Sequence, residues 1–370
     1  MPEFLQASIQ VLLGIGLLFG GGELFVQGSV AMAVIFGIPQ LVIGLTVVSL
    51  GTSAPELFVS LSSVLQGADA LAVSNVVGSN IFNVMVVLGS SALVLPLRVE
   101  SRLVRRDVPL MIAISAAVWG MASAGRVTWQ AGLALLLGLV INTVWEIRTA
   151  REEPDDSGSA EPEISDEANK GGLIPASVRI IAGISVLSIG SRVLVNGAVS
   201  AATLLGVSEA VIGLTIVSAG TSMPELITSL VAALRGRTDL AIGNVVGSCL
   251  LNLMLVLGAG AIAAAGSGLE VSPELIQDDL PIMLLTSLAC MPIFWTKGRI
   301  SRLEGGLLLG LYVLYLVDNV LPRTAMASWA DEFRLVMLCA VIPIVMIVIF
   351  TQAVFYWRDN QNKPTTKINT

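Results

Sequence analysis

Two short segments carry the residues best suited to chemistry. Gly51-Thr-Ser-Ala-Pro-Glu56 and Gly220-Thr-Ser-Met-Pro-Glu225 each place a carboxylate inside a long apolar stretch. An ionisable group at membrane depth is costly, and it marks an ion or proton pathway more often than a packing choice. One such Glu could be protonated or paired for structural reasons. Two in matching motifs are hard to explain that way. Residues three and four apart share a helix face, so Thr52 and Ser53 are expected to face with Glu56, and Thr221 and Ser222 with Glu225. Ser79 and Asn83 share the same spacing, as do Ser248 and Asn252. All of these present oxygen. An oxygen-only set suits hard cations such as Ca²⁺ and Na⁺, whereas soft metals call for thiolate or imidazole.

Pro55 and Pro224 fit the same purpose. Each lacks an N–H, so the carbonyl four residues back, on Gly51 or Gly220, loses its helical partner. Freed carbonyls at membrane depth are tolerated where they line a cavity, and there they can bind cations. A simple packing kink would not need Glu directly after each proline. Histidine is absent from the chain, which removes the commonest proton shuttle and transition-metal ligand. Cys249, Cys290 and Cys339 lie in apolar runs without metal or redox spacing, and they are expected to pack. No nucleophile–base pair supports an enzyme, and no cofactor, nucleic acid or obligate protein partner is expected. The expected partners are inorganic cations and the lipid bilayer.

The elements that must hold these residues follow from composition. Of 370 residues, 55% are hydrophobic and 13% charged, with a mean hydropathy of +0.86; soluble domains carry roughly 25% charged residues. Runs long enough to cross a hydrocarbon core, roughly 20 residues as helix, recur from Phe4 to Phe355. Helices are expected at 5–34, 38–65, 71–94, 105–123 and 127–149, then at 174–205, 208–234, 240–265, 278–296 and 303–321, with an eleventh at 334–356. A polar linker from Arg151 to Gly172, with Pro154, Pro162 and several Asp and Glu, has a disordered composition. Residues 1–150 and 173–322 are thus expected as two five-helix units, 151–172 as the acidic linker, and 323–370 as an extra helix with a tail. The N-terminal Met-Pro-Glu-Phe lacks a basic leader, so the first apolar stretch is read as a retained helix.

The two units repeat one another. Sliding the chain by 169 residues, the separation of Glu56 and Glu225, aligns the halves without gaps from Gly14 to Gly89. Val42–Leu57 lands on Val211–Leu226 with 13 of 16 positions identical, and Asn75-Val-Val-Gly-Ser79 lands on Asn244-Val-Val-Gly-Ser248. Shared apolar composition does not produce identity at Pro, Glu, Thr, Ser, Asn and Gly. Five helices before the linker mean that the second unit enters from the opposite side. Inverted repeats of this kind place their site at the midplane between the halves. In this eleven-helix arrangement 16 of the 20 Lys and Arg fall on one side, which puts the linker and C-terminus in the cytoplasm and the N-terminus outside. The membrane is taken as a bacterial inner (plasma) membrane. The six tryptophans lie near expected helix ends, as interfacial belts require.

The paired Gly-Thr-Ser-x-Pro-Glu motifs, each followed by Asn-Val-Val-Gly-Ser, resemble the two alpha repeats of the sodium/calcium exchanger family, within the calcium/cation antiporter superfamily. The resemblance covers about ten helices. It implies an all-α polytopic membrane protein with a ten-helix exchanger core of two inverted-topology five-helix repeats, to which the eleventh helix is added. Carried over by position, Glu56 and Glu225 are the shared Ca²⁺ and Na⁺ ligands, and Thr52 and Thr221 add oxygens. Ser53, Ser79, Ser222 and Ser248 complete flanking Na⁺ sites, Ser49 and Ser218 offer backbone carbonyls, and Asn83 and Asn252 sit at the centre. The implied function is a secondary antiporter exchanging Ca²⁺ for Na⁺ by alternating access. Many family members carry Asp where this chain has Asn252. Paired Asn resembles the calcium/proton branch, in which Glu56 and Glu225 would carry protons, whereas the Thr-Ser pairs favour Na⁺. A cation channel is the alternative of another class, and the inverted repeat argues against it. Ser74 opposite Gly243, and Cys249 opposite Asn80, are expected to affect packing only.

Overall fold

The computed structural model describes residues 2–152, 172–205, 218–264, 266, 268–295, 298–323, 327–341, 343, 347 and 351. Helix α1 (Pro2–Phe36) leads to a broken pair, α2 (Gln40–Thr52) and α3 (Ala54–Leu65), bent by 45°. Then come α4 (Asp69–Val94), α5 (Val108–Ala122, entered through a π-helical turn at Leu103–Asp107) and α6 (Trp129–Glu152). The second half supplies α7 (Leu173–Leu204), the short α8 (Ser218–Thr221) and α9 (Met223–Leu234). It continues with α10 (Thr238–Ala263), α11 (Leu275–Trp295) and α12 (Arg302–Val320). A last helix, α13 (Ala330–Val336), runs into a π turn at Met337–Val341. Seven helices among the described residues are long and apolar enough to cross a membrane, or eight if the bent pair counts as one span.

Several boundaries differ from the sequence expectation. The second helix is not continuous, because it breaks at Ser53. The fourth helix, expected from residue 105, is already helical at Ser101, so Arg102 joins Arg105 and Arg106 in its first turns. Helix α6 runs through Arg151 to Glu152, into the expected linker, whose residues 153–171 lie outside the described residues. The same holds for the start of the seventh helix at 208–217 and for most of the eleventh beyond Val341. Cys249 and Cys290 are buried, but Cys339 is exposed rather than packed.

The two halves interlock through backbone contact. Helices α1 and α7 cross antiparallel, and glycine is required there. A Cβ on Gly14 would lie 2.6 Å from the Leu194 backbone nitrogen, and one on Gly183 would lie 2.7 Å from that of Phe25. Small residues that let backbones touch are the usual basis of helix association in lipid, where no hydrophobic force drives helices together. Gly243 and Gly247 bring α10 against α2 in the same way, with Cβ positions 2.6 Å from the Leu41 and Leu45 carbonyl oxygens. The core between the halves contains Phe25, Leu41, Leu88, Met111, Ile242 and Phe294.

Four two-residue strands, not anticipated from the helical pattern, tie the loops. Strand β1 (Leu97–Arg98) pairs antiparallel with β4 (Arg299–Ile300), and β2 (Arg126–Val127) with β3 (Leu269–Glu270). Helix α5 lies between β1 and β2 in the chain, so the two ladders sit at opposite ends of the bundle. Each joins loops that helix parity assigns to one face, as an inverted repeat requires.

Candidate functional site

Each half delivers its carboxylate at the start of a helix. Ser53 (φ −81°, ψ 5°) and Ser222 (φ −88°, ψ 9°) leave helical geometry, and α3 and α9 begin at the next residue. Pro55 and Pro224 therefore lie in the first turn of a new helix, where a missing N–H costs little. Glu56 and Glu225 share that turn, at the positive end of the helix dipole, which favours a carboxylate. The expected role of the freed Gly220 carbonyl changes as a result. The Gly220 carbonyl accepts a hydrogen bond from Ser191 Oγ, so it is already engaged. The Ser49 carbonyl likewise accepts from the Ser53 backbone N–H at 2.9 Å and from Thr52 Oγ1 at 3.3 Å.

The hydroxyls do not serve the carboxylate of their own motif. Ser53 Oγ donates to Glu225 Oε1 at 2.9 Å, and Ser222 Oγ donates to Glu56 Oε1 at 2.9 Å. Ser222 Oγ also lies 3.0 Å from Ser79 Oγ. Thr52 Oγ1 is 3.1 Å from Asn244 Oδ1 and 3.5 Å from Ser248 Oγ, while Thr221 Oγ1 donates to Asn75 Oδ1 at 3.3 Å. Thus the two motifs cross, and each carboxylate is held by the opposite half.

Asn83 and Asn252 each open a π-helical turn, Asn83–Leu88 in α4 and Asn252–Val256 in α10. Such bulges inside α-helices recur at functional sites. They lie one turn beyond Ser79 and Ser248. Both side-chain amides, together with Glu56 Oε2 and Glu225 Oε2, are buried without a hydrogen-bond partner among the described residues. Buried polar atoms are nearly always paired, so the unpaired carboxylate oxygens and the two amides repeated at matching positions are candidates for a ligand that oxygen can hold. No Lys or Arg ion pair among the described residues involves either Glu.

Of the residues singled out from sequence, Thr52, Ser53, Glu225 and Ser248 are joined through Asn244, and Glu56, Ser79, Thr221 and Ser222 through Asn75, giving two matching groups that each draw on both halves. Ser49 Oγ turns back to the Leu45 carbonyl at 2.8 Å. The side chain of Ser218 lies outside the described residues. The sequence reading missed Asn75, Asn244, Ser60 and Ser229. Asn75 and Asn244 are identical across the repeat, and Ser60 aligns with Ser229, so the repeat itself held the signal. Ser115 and Ser287, 3.3 Å apart, were missed as well. Cys249 Sγ sits 3.9 Å from the Asn80 carbonyl, a packing contact.

Inverted repeats whose broken helices begin at a buried oxygen cluster define a secondary membrane transporter. The family model described as sodium/calcium exchanger protein matches residues 7–148 and 176–320. The chain belongs to that family. It is 32% identical over 326 residues to the inner membrane protein YrbG of Escherichia coli strain K12, covering 86% of this chain and 99% of the relative. It is 30% identical over 341 residues to the sodium/calcium exchanger MaX1 of Methanosarcina acetivorans, covering 83% and 96%. Among solved structures it matches the sodium-calcium exchanger NCX_Mj with a TM-score of 0.71 and 29% identity, over 85% of this chain and 98% of that one.

Proposed function

We propose that this protein is an antiporter that exchanges Ca²⁺ for Na⁺ across a membrane by alternating access. One observation carries the proposal. Two buried carboxylates, held crosswise by Ser222 and Ser53, leave Glu56 Oε2, Glu225 Oε2 and both central amides without hydrogen-bond partners among the described residues. Glu56 and Glu225 are the charged ligands that neutralise one Ca²⁺. Thr52, Thr221, Ser53, Ser222, Ser79 and Ser248 supply neutral oxygens, Asn83 and Asn252 close the centre, and Ser218 contributes backbone oxygen, whereas the Ser49 carbonyl is taken up by Ser53 and Thr52. The hydroxyls favour Na⁺ as the coupling ion, because proton exchange on Glu alone needs no neutral ligands. The names of MaX1 and NCX_Mj as sodium/calcium exchangers point the same way.

Proton coupling is the second reading, and it rests on Asn at both 83 and 252, which leaves only two carboxylates at the centre. We assign residues 1–150 and 173–322 to the two exchanger repeats, 151–172 to a cytoplasmic linker, and the remainder to an added helix and tail. The N-terminus is assigned to the outside by the basic loops, and the relative named as an inner membrane protein supports a bacterial plasma membrane. The deciding experiment is ⁴⁵Ca²⁺ uptake into proteoliposomes loaded with Na⁺, with pH clamped on both sides. An outward Na⁺ gradient is expected to drive uptake. Uptake that ignores Na⁺ and follows only an imposed pH gradient overturns the sodium assignment.

A further inference from the structure

Two asparagines outside the ligand set hold the threonines inside it. Asn75 Nδ2 donates to Ser60 Oγ at 3.0 Å and to the Glu56 carbonyl at 3.4 Å. Ser60 Oγ in turn donates to the Ala72 carbonyl at 3.5 Å. Both amide protons are therefore committed to the first half, and Oδ1 is left to accept from Thr221 Oγ1 of the second half at 3.3 Å. The second half repeats every link. Asn244 Nδ2 donates to Ser229 Oγ at 2.9 Å and to the Glu225 carbonyl at 3.3 Å, and Ser229 Oγ donates to the Ala241 carbonyl at 3.5 Å. Asn244 Oδ1 then accepts from Thr52 Oγ1 at 3.1 Å. Asn75 and Asn244 are 8% and 0% exposed, so water does not compete strongly for these bonds.

A threonine hydroxyl has one proton and two lone pairs. Once the proton is given to an amide oxygen, a lone pair can face a cation. The Ser49 carbonyl is a second acceptor for Thr52 at 3.3 Å, and Asn244 Oδ1 at 3.1 Å is the nearer one; without the amide oxygen the hydroxyl is held less firmly with its proton turned from the ion. We propose that Asn75 and Asn244 are positioning residues for cation binding, each fixing the threonine of the opposite half with its lone pairs toward the site. Partners behind a ligand commonly change ion affinity about 10- to 100-fold when removed. The assignment rests on the antiport reading. It adds that the threonine geometry exists only while the two halves are apposed, because each strut spans them.

The test is a double-mutant cycle on the full-length protein, read by ⁴⁵Ca²⁺ binding in detergent and by Na⁺-driven exchange in proteoliposomes. Asn244→Ala is expected to raise the Ca²⁺ KM about tenfold with a smaller change in maximal rate. Thr52→Val should do the same, and the double variant should be no worse than either single. In a Thr52→Ser background the hydroxyl remains, and Asn244→Ala should again raise KM by the same factor. Losses that multiply in the double variant, or an unchanged KM in Asn244→Ala, overturn the strut assignment while leaving wild-type exchange intact. Should Asn244→Ala not purify as a monodisperse protein, Asn75→Ala with Thr221→Val gives the equivalent cycle. A wild-type protein that neither binds nor exchanges Ca²⁺ instead removes the antiport reading, and this proposal with it.

Discussion

Replacing Glu225 by Gln isolates the charge of the site. Glu225 is fully buried, its Oε1 accepts from Ser53 at 2.9 Å, and its Oε2 has no hydrogen-bond partner among the described residues. Gln keeps the volume and the Ser53 bond and places an amide nitrogen where Oε2 stood. Packing therefore survives, and the main change is the loss of one negative charge. Two carboxylates neutralise one Ca²⁺, whereas one leaves a positive charge uncompensated inside the protein. Removing one partner of a buried ion pair costs about 3–5 kcal/mol. At about 1.4 kcal/mol per decade, binding weakens roughly 100- to 4,000-fold. Equilibrium ⁴⁵Ca²⁺ binding to purified protein, titrated about three decades above the wild-type midpoint, measures this directly. Size-exclusion profiles matching wild type are expected. Glu56→Gln should lose a comparable factor, because Ser222 holds Glu56 at the same 2.9 Å. A loss of less than about tenfold in either variant would mean that its carboxylate does not compensate the ion's charge.

Three further outcomes are expected. Asn252→Asp crowds a third carboxylate beside two others, and mutual repulsion favours proton uptake, so exchange should fall more steeply on acidification than in wild type; an unchanged pH profile places Asn252 away from the ions. Gly14→Ala forces a Cβ to 2.6 Å from the Leu194 backbone, and overpacking of this kind costs about 1–3 kcal/mol. A lower apparent Tm in detergent is expected, and an unchanged one would show that the crossing can relax. Cysteine at Ser159, in a background without native cysteines, should resist impermeant labelling from outside whole cells, and ready labelling there would reverse the assigned orientation.

Much of the molecule was legible before any coordinates. Run length and low charge dictate a membrane protein, because hydrocarbon tolerates few charges and demands helices that satisfy their own backbone. The repeated Gly-Thr-Ser-x-Pro-Glu segments identify Glu56 and Glu225, because such identity at polar positions has no other cause in an apolar chain. The π turns, the loop ladders and the early start of the fourth helix were not legible. They depend on contacts between segments far apart in sequence, such as Leu97 with Ile300 and Val127 with Leu269.

The site itself divides along the same line. Helical spacing places Thr52, Ser53 and Glu56 near one another, but spacing within a segment says nothing about which segment lies opposite. The chain breaks at Ser53 and Ser222, and glycine contacts such as Gly243 on Leu41 press the halves together. Only that packing sends Ser53 to Glu225, Ser222 to Glu56, and Thr52 to Asn244. The sequence alone determined which oxygen-bearing side chains are present and their duplication, since these are properties of residue type and order. The crossing of the two motifs, and the asparagine struts behind them, were decided by tertiary structure, because a hydrogen bond between halves depends on distances that no local periodicity encodes.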